Sequence, residues 1–290
     1  MAMAPAKPAT TMRAGWLAAR FKALREDRGL KGAEVADYIG KTQGTVSKLE
    51  NGEFPLTGDT ILRLMDLYGV SDLKERNELL QLSEEVAQRG WWDGYASLLG
   101  SNFADYIWME SRADAMHILE INAVPGLLQV PEYASALIGR GPQSSDEFQV
   151  RRLTEARLLR REQLSKPHSP HVRFLVHEGA LHQEVGKPGV MKEQLEYLLT
   201  AMQRSNLEIR VIPLRAWSHT AATVGGGFTM FELPVPFPNV VAVESPAGAI
   251  YVEGPDIDSF TSSYNAIWAD ALSASKTEAL IAQLAKDAAT

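Results

Sequence analysis

At 290 residues the chain is longer than the ~100–200 typical of one domain, so two domains are expected. With 45% hydrophobic and 22% charged residues, no apolar run near the ~20 residues of a membrane span and no cysteine, the sequence excludes a membrane helix, a disulfide framework, a thiolate nucleophile and a cysteine-based zinc site. The net charge of −7 lies wholly in residues 91–290, with 23 acidic and 16 basic groups, whereas residues 1–90 carry 13 of each and their 13–52 stretch holds eight basic against five acidic groups, a local surplus that favours phosphate contact.

Residues 1–14, MAMAPAKPATTMRA, lack the apolar core of a secretion signal and read as a disordered tail, and with the missing cysteine this fits a cytoplasmic protein. From Trp16 to about Arg89 short helices are separated by turn signals. The first is expected from Gly15 to Asp27, with Leu17, Phe21 and Leu24 on one face and Gly29 at its end. The second runs from Gly32 to Ile39 and is stopped by Gly40; Thr42 caps a third that ends near Glu50, before Asn51-Gly52. Thr57 or Asp59 starts a fourth through Leu67, and Ser71 caps a fifth running to about Gln88. This makes an all-α, five-helix N-terminal domain over 15–89.

The pattern changes at WWDGY, and the second domain is placed at 90–290. Helical stretches are expected near 102–120, 131–139, 147–164, 190–203 and 256–272, and strands at 172–177, 207–212, 228–233, 240–244 and 249–252. Ser275 and Glu278 have capping-box spacing ahead of a last helix. The domain reads as α+β with an antiparallel sheet, a hairpin or meander lying near its end.

Function concentrates in residues 32–51, GAEVADYIGKTQGTVSKLEN. Ala36 is small where two helices cross, Gly40 permits the positive φ of a tight turn, and Val46 and Leu49, three apart, face the core. Gln43, Gly44, Thr45, Ser47 and Lys48 then point outward, a short polar face that suits a helix lying in a major groove. The stretch LKGAEVADYIGKTQGTVSKLENG resembles the helix-turn-helix of phage-repressor-like (xenobiotic-response-element) transcription regulators. That resemblance puts Gln43, Gly44, Ser47 and Lys48 at base-reading positions and Gly32 and Thr45 near the phosphate backbone. Lys31 and Thr42 join the DNA-facing set, and Arg25 and Glu50 stand where the family has a structural ion pair. Glycine at 44 and at 32, where the family often has a reading side chain and a phosphate-holding glutamine, implies sparse base readout.

Residues 91–285 resemble the domain of unknown biochemical role that follows such a helix-turn-helix in many actinobacterial regulators. The landmarks are Trp91-Trp92, Glu110, VPGLLQ at 124–129, Tyr133, Arg157, Arg160, His177-Glu178, Ala180-Leu181, Met191, Gln194-Leu195, Val211-Ile212-Pro213, Gly227-Phe228 and Glu244. Arg161 stands where that family usually has glutamine.

Other chemistries find little support. His177, Glu178 and His182 miss the His-Glu-x-x-His spacing of a zinc protease by one residue, which sets the two rings ~140° apart on a helix. His168 and His171 lie in a Pro-rich loop without a third ligand, no GxSxG is present, and Gly225-Gly226-Gly227 leads into a strand and not into the helix that a phosphate loop needs. No metal, cofactor or catalytic residue is therefore expected. The arginines at 151, 152, 157, 160 and 161 read chiefly as a solvated face, with two other readings open: a site for an acidic partner or ligand, or buried pairing with Glu178 or Glu244. Arg157, Arg160, Glu178 and Glu244 are the candidate ligand or partner residues. Trp91, Trp92, Tyr95, Tyr106 and Trp108 read as packing. The expectation is a dimeric, non-enzymatic regulator that binds double-stranded DNA and responds through its second domain to a small molecule or a small partner protein; the alternative is an antitoxin-like interaction module that binds a small partner and autoregulates.

Overall fold

Thr11 has extended backbone and its hydroxyl accepts the Ala14 N–H at 3.3 Å, so the first helix, α1 (Met12–Asp27), begins at Met12 and not at Gly15. Residues 12–14, expected in a disordered tail, are its first turn. In the computed structural model, which describes residues 11–56, 58–88, 90–95, 98, 101–141, 146–166, 169–215, 225–245 and 248–288, the chain divides into two compact units. The first holds the chain up to Asp93 with the short pieces Gly100–Asp105 and Val235–Phe237, and the second holds the rest. The expected tail residues 1–10, Arg89 at the expected boundary, the alternative cap Thr57 and His168 lie outside the described residues.

In the first unit α1 is followed by α2 (Gly32–Ile39), α3 (Gln43–Glu50), α4 (Gly58–Leu67) and α5 (Leu73–Ala87). Their apolar faces meet in a core that includes Leu17, Phe21, Val35, Ala36, Ile39, Val46, Leu49, Ile61, Met65 and Leu79. The cap of α5 is Asp72, one residue beyond the expected Ser71, and its carboxylate accepts the Glu75 N–H at 3.0 Å.

The second unit is built on β1 (Ala115–Glu120), β2 (His171–His177), β3 (Leu207–Ile212), β4 (Phe228–Glu232), β5 (Val240–Ser245) and β6 (Gly248–Val252), in the order β3-β2-β1-β4-β5-β6. The α+β expectation holds, with one correction. The sheet is mixed: β1/β2 and β2/β3 are parallel, while β1/β4, β4/β5 and β5/β6 are antiparallel and form the expected meander. Parallel neighbours need crossovers. They are supplied by α7 (Pro131–Ile138) and α8 (Glu147–Arg161) between β1 and β2, and by α9 (Glu178–Leu181) and α10 (Val190–Ala201) between β2 and β3.

The helix expected over 102–120 is also corrected. It is α6 (Ser101–Arg112) followed by strand β1, which pairs on both sides and buries Met116, Ile118 and Leu119. One face of the sheet carries Leu119, Leu175, Phe228, Met230 and Val241 against Tyr264 and Ile267 of α11 (Ile257–Asp270). The last helix, α12 (Ala274–Asp287), is capped by Ser273, whose hydroxyl accepts the Lys276 N–H, and not by Ser275. Its buried Thr277 hydroxyl accepts the Val211 N–H at 3.1 Å, and Leu272 N–H donates to Val211 C=O at 2.9 Å, so backbone groups on the open edge of β3 are paired. Among the described residues no helix is long and apolar enough to cross a membrane.

Candidate nucleic-acid interface and a buried charge cluster

The turn between α2 and α3 is set by local chemistry. Gly40 takes φ +68°, a left-handed conformation that a side chain would strain, and the next residue, Lys41, donates its N–H to Ala36 C=O at 2.9 Å. Thr42 is extended, and its hydroxyl accepts the Thr45 N–H at 3.2 Å and lies 3.0 Å from the Thr45 hydroxyl. Val46 and Leu49 then point into the core, and the opposite side of α3 exposes Gln43, Gly44, Ser47 and Lys48. Thr45 is half-buried, while Thr42 and Lys31 are exposed, Lys31 at the N-cap of α2 with its N–H on the Glu34 carboxylate at 2.6 Å. Gly32 is half-buried, and a Cβ built on it would lie 3.8 Å from Gln43 Cγ, so the base of the Gln43 side chain passes beside α2.

Arg25 holds the far end of α3. Its Nε and Nη2 donate to the two oxygens of Glu50 at 2.5 and 3.0 Å, and Nη1 donates to Leu30 C=O at 2.8 Å. The side chains are only 14% and 13% exposed, and the hydrogen bonds that Arg25 donates to Glu50 hold the guanidinium pKa above its ordinary value. One ionic fork thus ties α1 to the C-terminus of α3, while the exposed polar face is left without a large apolar group.

The second unit gathers charge in its interior. Arg160 on α8 is 5% exposed and Glu110 on α6 is 1% exposed, and they form a two-bond fork at 2.7 and 2.8 Å. Burial pushes the Glu110 carboxyl up, and Arg160 opposes that push. The 124–129 loop presents the next partner. Tyr133 hydroxyl accepts the Val124 N–H, Gln194 holds both Leu128 C=O and Val130 N–H, and Gln129 uses its amide N–H on Val124 C=O. The remaining Gln129 amide oxygen accepts from Arg157 Nη1 at 2.9 Å. Burial, then the neighbouring Arg160, lowers the Arg157 pKa. Glu120 at the end of β1 is half-buried, and its pKa is pushed up to about 7, first by burial and then by Glu244, against Arg157 and Arg160.

The four candidate residues of this unit are therefore not one group. Arg157, Arg160 and Glu244 fall within one electrostatic cluster, whereas Glu178 accepts the Leu214 N–H at 2.7 Å and faces His182 at 3.4 Å. The pairing expected for the arginine helix with Glu178 or Glu244 is corrected: the buried partner of Arg160 is Glu110. The solvated-face reading describes Arg151, which is exposed over the Phe148 ring, and not Arg160. His177 caps α9 by accepting the Gly179 N–H on Nδ1, a structural task. Sequence reasoning missed Glu120 and Gln129 as members of the cluster; the available signal was a carboxylate closing the strand AMHILE, whose other residues apart from His117 are apolar.

Glu120 yields a pH prediction. A carboxyl whose pKa is higher in the folded than in the unfolded chain stabilises the fold fully below the unfolded value and loses that contribution as pH rises through about 7. The shift corresponds to on the order of 3 kcal/mol. Urea unfolding at about pH 5 and 8 should show Glu120→Gln to be the more stable protein at the higher pH, with the shallower pH dependence; parallel slopes would contradict this.

Residues 103–283 match the family described as a domain of unknown function (DUF5753), and as the match spans more than half of the chain, the protein belongs to that family. Residues 16–79 match a helix-turn-helix domain, which supports DNA binding and, through it, transcription regulation. No curated protein and no solved structure matches the chain.

Proposed function

We propose that the protein is a sequence-specific regulator of transcription, of the phage-repressor-like actinobacterial type, that inserts α3 into the major groove and is controlled through its second unit. The observation that carries this reading is the exposed polar face Gln43, Gly44, Ser47 and Lys48 on a helix fixed from behind by Val46, Leu49 and the Arg25–Glu50 fork. Gln43 has the groups to read adenine and Lys48 those to read guanine, while Gly44 lets the backbone approach closely. The cap at Thr42 and Thr45 lies at the N-terminus of α3 and the exposed Lys31 at the N-terminus of α2, ends of helices where phosphate is favoured. A DNA-bound role places the protein in the cytoplasm and asks no catalytic chemistry of it.

One such helix reads only a few base pairs, so the functional species is a homodimer on two half-sites about one helical turn, ~34–36 Å, apart. Selection from a random duplex library with the full chain is the test. It should enrich paired half-sites at that spacing; a library that emerges without any enriched motif would refute sequence-specific reading.

A further inference from the structure

The charges left over by the Arg160–Glu110 fork have a layout of their own. Continuing the registers Leu119↔Phe228 and Phe228↔Val243 by one rung sets Glu120, Gly227 and Glu244 side by side across β1, the residue before β4, and β5. Directly opposed residues share a face, so the two carboxylates rise from the same side of the sheet on strands about 10 Å apart, with no side chain between them. A Cβ on Gly227 would sit 2.6 Å from Leu119 O and 3.4 Å from Glu120 Oε2, so glycine is what lets the Glu120 carboxylate lie over this rung. The accessibility falls inward: Glu244 is exposed, Glu120 and Arg157 are half-buried, and Arg160 and Glu110 are buried.

The groups also leave bonding capacity unused within the protein. Arg157 makes its bond to a neutral amide oxygen, Gln129 Oε1, and comes within 4 Å of no carboxylate among the described residues. Among the same residues no hydrogen-bond donor reaches Glu120 or Glu244, although both act on Arg157 through space. A guanidinium with N–H groups to give thus shares one electrostatic cluster with two carboxylates that have lone pairs to fill, and among the described residues no hydrogen bond joins the three. A ligand that complements them needs an ammonium at one end for Glu120 and Glu244 and a carboxylate at the other for Arg157.

We propose that Glu120, Glu244 and Arg157 form a recognition site for a small zwitterion, of the free α-amino acid class, with Gly227 as its floor and the Arg160–Glu110 fork as its rigid base. The ammonium lies between the two glutamates and the carboxylate on Arg157. The proposal gives a chemical class to the signal of the second unit and in that respect rests on the regulatory reading above; binding to the site does not depend on α3, so its test and the DNA test fail separately.

The experiment is thermal unfolding and titration calorimetry of the full chain against the twenty L-amino acids singly, with methylamine and acetate as probes carrying one end only. At least one amino acid should raise the unfolding temperature and bind, the single-ended probes should not, and Glu120→Gln and Arg157→Gln should each weaken that binding at least tenfold. Glu244→Gln, at the exposed rim, should fold as the parent does and also lose about tenfold, which keeps the test available if a buried variant fails to fold. No binding by any amino acid, binding of methylamine or acetate in place of an amino acid, or binding unchanged in all folded variants would overturn the proposal.

Discussion

Replacing Glu110 with alanine should destabilise the protein by about 3–5 kcal/mol, because it leaves a guanidinium in a site that is almost closed to water. Arg160 is 5% exposed, and both oxygens of Glu110 are committed to it at 2.7 and 2.8 Å. A Cβ on Gly126 would lie 3.6 Å from Arg160 Nη1, so the 124–129 loop comes close to the same guanidinium. Denaturant unfolding of Glu110→Ala measures the loss. The double change Glu110→Ala with Arg160→Met should recover part of it, since no buried charge is then left alone. A loss under about 1 kcal/mol in the single variant would show that water or another group reaches Arg160 freely, and the fork would no longer count as the base of the second unit.

The fork in the first unit should behave differently, because it is less buried and holds α3 from behind its exposed polar face. Glu50→Ala removes both carboxylate oxygens from Arg25 while the Leu30 carbonyl remains, so a cost of about 1–3 kcal/mol is expected. Since Glu50 is the last residue of α3, the loss should loosen that helix against α1 and lower DNA affinity along with thermal stability. If Glu50→Ala keeps the parental unfolding temperature and yet loses DNA binding, then Glu50 belongs to the DNA interface and is not a structural member.

These two ion pairs also show where a single sequence is legible. The helix-turn-helix is written in short-range chemistry: Gly40 in its left-handed turn, Thr42 capping Thr45, and Val46 and Leu49 three apart on one face, so the expected bounds of α2 and α3 agree with those observed. By contrast β1 is not legible as a strand, because it lies inside the sheet with apolar groups on both faces and shows no clean alternation. The mixed order of the sheet depends on which strands meet after long crossovers, which local pattern does not encode. The same holds for Arg160, whose partner Glu110 is 50 residues away and is neither Glu178 nor Glu244. Ser273 and Ser275 precede the same apolar run, and only backbone geometry makes Ser273 the cap.

If the exposed face of α3 reads DNA sequence, Gln43 and Lys48 are the side chains that carry the preference. Gln43→Ala and Lys48→Ala should be measured against the parent on the selected duplex and on random duplex at one fixed salt concentration. Each change is expected to cost about 1–3 kcal/mol on the selected site and less on random DNA, so that the preference between the two shrinks. An unchanged preference in both variants, with binding to the selected site intact, would contradict it.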